Sequence, residues 1–259
     1  MNLFDATLDL GRFAQGTADY VITSISGNRI YCDNLSGRVA EYGGGTIWFT
    51  SGNSAGQFGR IKASLANAIE LQDSYPDGFA VGDHITIGSW LEFDTQKLIN
   101  AINSVLSTYK ILLFNSELEY DPNVTEYELP EGVTSDIRKV IWWDERNNCT
   151  KTCHYWRVQD YNWLVILDRR IPAGAHIGLS YVKVHGPVSK DNPEIHDQVD
   201  PLYLRYMAWL YLCRNLIQNT HKDNLIASDM YNEAKVYERD YSRLPNKALG
   251  MRDFTFPTW

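Results

Sequence analysis

Phe49-Thr-Ser-Gly-Asn-Ser-Ala-Gly-Gln57 follows a β-branched and aromatic run, Thr46-Ile-Trp-Phe-Thr50, and contains Gly52-Asn53-Ser54-Ala55-Gly56. This G-x-S-x-G spacing has two readings, and they lead to different folds. In a serine hydrolase it is a nucleophile elbow: a strand, a sharp turn bearing the serine, then a helix, on a sheet built from βα units. In an all-β module it is a hairpin turn whose glycines supply backbone freedom. The residues that follow favour the second. Arg60-Ile-Lys-Ala-Ser-Leu65 is apolar at 61, 63 and 65, the period of a strand, and Gly59 stands where a helix would begin. Only 53 residues precede Ser54, too few for the βα units under an elbow. A phosphate loop fails as well, because no Lys-Ser or Lys-Thr follows Gly56 or Gly59. Ser54 is expected to be a turn residue, and no catalytic residue is assigned.

Around this turn the chain reads as short strands: Tyr20–Ile25, Arg29–Cys32, Thr46–Thr50, Arg60–Leu65 and His84–Gly88. Gly27-Asn28, Gly43-Gly44-Gly45, Gly52-Asn53 and Asp77-Gly78 punctuate them. The pattern predicts a small antiparallel barrel or sandwich. From Asp94, a candidate N-cap, the spacing of Leu98, Ile99, Ile102, Val105, Leu106 and Tyr109 turns helical. A second β region follows, with strands at Thr125–Leu129, Ile137–Trp143, His154–Val158, Trp163–Leu167 and Ile177–Val184. Asp200-Pro201 reads as an N-cap with proline at the first helical position. The helix behind it carries Tyr203, Tyr206, Met207, Leu210, Cys213, Leu216 and Ile217, and Trp209 widens its apolar face. Ile226, Met230, Ala234, Tyr237 and Tyr241 predict a partner helix and an αα-hairpin.

The expected fold is therefore α+β. An N-terminal arm (1–16) precedes a barrel-like module (17–90), a linking helix (91–110), a β-sandwich module (111–187), a helical hairpin (188–243) and an extended arm (244–259). The last segment has no persistent period but carries Leu244, Leu249, Met251, Phe254, Phe256 and Trp259. Such a tail needs a surface, on its own subunit or on another.

Composition narrows the function. The 259 residues are 44% hydrophobic and 22% charged, as in a folded protein, and the net charge of −8 argues against a general nucleic-acid surface. Sixteen Tyr and eight Trp suit binding surfaces as well as cores. Cys149 and Cys153 form a C-x3-C pair beside His154 with no second pair, and Cys32 and Cys213 stand apart. The six histidines are dispersed, so neither a metal nor a cofactor is expected. Buried or bystander thiols in a reducing compartment are the better reading. No carboxylate spacing points to a glycosidase pair. Trp142, Trp143, Trp156 and Trp163 could form a carbohydrate platform, although strand alternation favours packing inward for some and flanking an interface for others. The first residues lack the features of a signal peptide, and no apolar run reaches membrane-span length.

Gly45-Thr46, Ser51-Gly52, Ala55-Gly56, Arg60 and Gly82-Asp83 occur in an order that resembles a segment of structural proteins of tailed bacteriophages. Leu98–Ser107, Tyr127–Val140, Leu167–Val182 and a C-terminal helical pair extend the likeness over about residues 17 to 240. The order resembles the head-to-tail adaptor, or neck, proteins. That resemblance implies a non-enzymatic virion protein assembled in the host cytoplasm, in a homomeric ring of commonly twelve copies between the portal and the next tail or neck protein. Genomic DNA would pass through the lumen without specific binding, and no membrane would be involved. Interface residues expected on this basis are Tyr203, Trp209, Leu249, Met251, Phe254, Phe256 and Trp259. A tail hub or a carbohydrate-binding tail protein is the alternative.

Overall fold

Asn2 starts the first helix, α1 (Leu3–Ala14), by accepting a hydrogen bond from the Asp5 N–H at 2.9 Å, while the Asp5 carboxylate accepts from the Asn2 N–H. This reciprocal cap satisfies N–H groups that a helix start otherwise leaves open. Leu3, Ala6, Thr7, Leu10 and Gly11 form its buried stripe. The segment expected as an arm over 1–16 is thus a capped amphipathic helix. The computed structural model describes residues 1–35, 42–75, 78–88, 93–144, 149–219, 232, 235 and 236.

Six strands follow: β1 (Thr17–Ser26), β2 (Arg29–Cys32), β3 (Thr46–Phe49), β4 (Phe58–Leu65), β5 (Ala68–Leu71) and β6 (His84–Gly88). They close into an antiparallel barrel in the order β1-β2-β5-β4-β3-β6, with β1 pairing β6. Closure leaves no unpaired edge. Ile22, Ile30, Ile47, Phe49, Ile61, Ile69, Leu71, Ile85 and Ile87 fill the interior. β5 escapes the sequence pattern because Ala68-Ile-Glu-Leu71 follows β4 after only Ala66-Asn67, with no Gly or Pro to mark the break.

Every residue of β3 is buried. Ile47 and Phe49 belong to the barrel core, so alternation turns Thr46 and Trp48 to the other face. There Trp48 Nε1 donates to Thr7 Oγ1 of α1 at 3.1 Å. A Cβ added at Gly11 would stand 2.8 Å from the Trp48 ring, and one at Gly88 would stand 3.0 Å from it. The two glycines let the indole lie between helix and strand.

Thr46 Oγ1 and Thr95 Oγ1 share a hydrogen bond of 2.8 Å. Thr95 opens α2 (Thr95–Leu106), whose N-cap Asp94 accepts from the Lys97 N–H at 2.9 Å, as the sequence predicts. Asp200 likewise accepts from the Leu202 and Tyr203 N–H groups and caps α3 (Pro201–Asn219). Phe13 of α1 meets Tyr206 and Trp209 edge to face, and Phe93 meets Trp209 the same way. The three helices form a layer with the barrel. The connection before α3 is fastened by the Asn103 side chain, which both donates to the Val188 carbonyl and accepts from its N–H. It is fastened again where Asn2 bridges Glu194.

The chain divides into two compact units, whose described parts are the one above (Met1–Thr108 with the described residues of Gly186–Lys247) and Tyr109–His185. The second holds β7 (Lys110–Glu119), β8 (Glu126–Glu128), β9 (Ile137–Asp144), β10 (Cys149–Thr152), β11 (Trp156–Gln159), β12 (Trp163–Ile166) and β13 (His176–Val184). One sheet runs β10-β9-β13-β7 and the other β11-β12-β8. Both contribute to one core, including Tyr127, Val140, Trp142, Leu164, Ile166, Ile177, Leu179 and Tyr181. β7 is hidden in the sequence because Ile111-Leu112-Leu113-Phe114 runs on from the stripe of α2 without an alternating pattern.

The fold is mixed α+β, with a closed six-stranded barrel, two further sheets and, among the described residues, three helices. No helix among them is long and apolar enough to cross a membrane. The partner helix expected at 226–241 lies outside the described residues except at 232, 235 and 236, as do Leu249, Met251, Phe254, Phe256 and Trp259.

Trp48→Ala should remove both the indole and the bond to Thr7, at a cost of ~3–5 kcal/mol for a large buried aromatic. Chemical denaturation read on the first unit's transition checks this, and a loss below about 1 kcal/mol would contradict the packing described.

Candidate interaction surface

β3 and β4 pair through Ile47–Gly59 and Trp48–Phe58, so the G-x-S-x-G segment is the turn of a hairpin. The Gly56 N–H donates to the Phe49 carbonyl and the Phe49 N–H to the Gln57 carbonyl, closing the turn at 3.0 and 2.9 Å. Ser54 is fully buried, and its hydroxyl donates to the Gly78 carbonyl at 2.6 Å. A strand follows the turn, and the serine proton is held by a backbone oxygen. This is not the geometry of an activated nucleophile.

The turn is locked to the loop before β6. The Ser51 hydroxyl accepts from the His84 N–H at 2.7 Å, and the Thr50 N–H donates to the His84 carbonyl at 2.9 Å. Gly52 has φ of 78°, and a Cβ there would overlap the Asp83 carboxylate. That carboxylate accepts from the Ala80 N–H, while the Asp83 carbonyl and Gly82 N–H pair with Ile22 of β1. Ser51, Gly52, Gly82 and Asp83, separate in sequence, therefore form one structural lock.

The tryptophans of the second unit fall into three environments. Trp142 is buried in the shared core, with Lys151 Nζ 5.2 Å from its ring centroid. Trp156 packs against the same core. Trp143 is paired across the sheet with His176 and stacks on it at 5.5 Å, with Phe114 tilted beside it at 6.4 Å. Phe114 lies over Gly178, where a Cβ would come within 2.5 Å of the ring. Trp163, by contrast, is 40% exposed. The four tryptophans do not form one platform.

Trp163 belongs to the outer face of the β11-β12-β8 sheet. Leu164 and Ile166 point into the core, so Trp163, Val165 and Leu167 alternate to the other side, where Trp163 and Leu167 are exposed but Val165 is buried. Gln159 and Glu128 stand opposite Trp163, and Arg157 and Glu126 opposite Val165. Tyr161, at the β11–β12 turn, is 81% exposed and adopts φ of 64°, next to Asp160 at 49°. Left-handed backbone is uncommon outside glycine. The sequence marks Asp160-Tyr-Asn162 as a turn but carries no sign that its tyrosine is bare.

Tyr155, at the other end of this face, has the Arg170 guanidinium 5.7 Å from its ring. Asp168 is buried and takes two hydrogen bonds from that guanidinium, at 2.8 and 2.7 Å, and one from the His154 N–H. Arg170 above all, then the backbone donors, hold the Asp168 carboxyl well below the usual carboxylate range against the opposing effect of burial.

Tyr203 and Trp209, expected at an interface, are buried within the first unit. Among the described residues no group of three or more His, Cys, Asp and Glu side chains could hold a metal ion. Burial pushes the Cys32 and Cys153 thiols up to about 11, which leaves little reactive thiolate at neutral pH.

Gly52→Ala should destabilise the barrel unit by ~1–3 kcal/mol, from left-handed strain and the clash with Asp83. Ser54→Ala should cost ~1–2 kcal/mol by leaving the Gly78 carbonyl unpaired. Thermal unfolding of both variants checks these costs, and a fluorophosphonate should not label Ser54. Asp168 has a folded pKa below its unfolded value. Its contribution is therefore complete above the ordinary carboxylate range, near 4, and is lost as pH falls through the folded value. Asp168→Asn should be less stable at pH 7 and lose less on acidification than the parent; parallel pH–stability curves would contradict this.

Neither a protein-family model nor a curated protein matches this chain.

Proposed function

We propose that the protein is a structural component of a tailed-phage virion, a head-to-tail adaptor that forms a homomeric ring and performs no catalysis. The observation that carries the reading is the lock at the β3–β4 turn. Ser51, Gly52, Gly82 and Asp83, which carry the resemblance to phage structural proteins, meet there in space. A motif whose residues hold one turn against one loop belongs to a fold, and so the resemblance concerns a fold rather than a reaction.

In this reading the barrel and the second β unit are modules joined by α2, and the helices from α3 onward face the portal or a ring neighbour. Leu249, Met251, Phe254, Phe256 and Trp259 dock the C-terminal arm on an adjoining protein. Twelve copies surround a lumen through which DNA moves. The net charge of −8 suits such a channel, because like charge keeps DNA from adhering.

Electron microscopy of the full chain, alone and with its portal protein, tests the proposal. A ring with rotational symmetry on the portal is expected, and a monomer with no portal affinity would overturn it. Deleting Leu244–Trp259 should leave a folded subunit that fails to join the portal. Normal joining by the truncated chain would refute the role given to the arm.

A further inference from the structure

We infer that β7 is the seat of a neighbouring copy's C-terminal arm, residues 252–256 of which add to its edge as an antiparallel strand. The inference rests on the ring reading and names the surface that the arm meets. β7 stands last in the order β10-β9-β13-β7, and a terminal strand offers backbone N–H and C=O groups to another chain. Its two halves differ. Toward Glu119 it takes one extra residue between Asn115 and Leu118, where Asn115 Oδ1 accepts from the Glu117 N–H at 3.0 Å. Glu117 and Glu119 are exposed there. Bulges and charges keep an edge from pairing. Ile111–Phe114 carries neither.

The same half turns apolar residues outward. Leu113 packs against the core of the second unit, so Leu112 and Phe114 belong to the outer face of the sheet. They stand opposite Val182 and Ser180 of β13. Val182 is buried beside them, while Phe114 is 38% and Val184 44% exposed. A sheet with its inner face on a core ordinarily turns polar residues outward.

Met251-Arg-Asp-Phe-Thr-Phe-Pro257, outside the described residues, supplies the occupant. In an extended chain Phe254 and Phe256 project to one side about 7 Å apart, the spacing of Leu112 and Phe114. Charge sets the direction. Antiparallel addition, with Phe254 beside Phe114 and Phe256 beside Leu112, brings Arg252 to Ser116 and next to Glu117. Parallel addition would set Arg252 against Lys110, a like-charge pair. Pro257 has no N–H and ends the added strand. The stretch from 220 to 248 spans about 40 Å even at a helix's rise of about 1.5 Å per residue, ample for reaching another copy.

The test uses the full chain with p-benzoylphenylalanine in place of Phe256, assembled from equal amounts of light- and heavy-nitrogen protein and photolysed. Cross-links should fall within β7 and join light to heavy chains as often as like to like. Phe256→Glu should weaken ring association about tenfold or more, by light scattering on dilution, with the unfolding transitions unchanged. Arg252→Glu should weaken it about threefold, and adding Glu117→Arg should restore part of the loss. A ring whose cross-links fall outside β7, or never join light to heavy, overturns this inference and leaves the ring reading standing. So does full association by Phe256→Glu, and a double variant no better than Arg252→Glu overturns the antiparallel register. A monomer that forms no ring overturns both.

Discussion

One indole ties the first unit together. Trp48 sits on a four-residue strand whose other side chains already fill the barrel or meet α2, and its ring occupies the space that Gly11 and Gly88 leave open. The hydrogen bond from Nε1 to Thr7 satisfies the one polar atom that burial would otherwise strand. Because β3 is covered on both faces, the helical layer is not an attachment to a finished barrel. α1 covers Trp48, Thr95 covers Thr46, and Trp209 of α3 meets Phe13 of α1 and Phe93, just before the cap of α2.

The same economy shapes the G-x-S-x-G turn. A nucleophile elbow exposes its serine above a sheet, whereas here the serine is turned inward and closes a loop. Gly52 is needed for its backbone conformation and for the space that Asp83 occupies. The motif therefore records two simultaneous constraints on one residue. It marks the place where the hairpin, the loop before β6 and β1 are fastened together.

Much of this was legible in the residues. β-Branched and aromatic runs bounded by turn residues located β2, β3, β6, β9, β12 and β13 closely, and Asp94 and Asp200 announced their helices through the cap chemistry that the structure then displays. Other elements were opaque for physical reasons. α1 carries small buried residues, Ala6, Thr7 and Gly11, so its stripe is faint until Trp48 is seen against it. β5 follows β4 after only Ala66-Asn67, with no Gly or Pro to mark the break, and β7 is apolar on successive positions. The outer face around Trp163 depends on which strands lie beside β12, and pairing between β8 and β12 spans more than thirty residues. Composition registers such aromatics but not which of them remain bare.

The most direct measurement is native-state hydrogen exchange of the intact chain, comparing α1 with β3 and β6. If Trp48 joins helix and barrel into one cooperative unit, the amides of α1 will open together with those of β3 and at a similar free energy. Replacing Trp48 will then lower protection in both. Exchange of α1 as an independently fraying arm, with β3 and β6 still fully protected, would contradict the account.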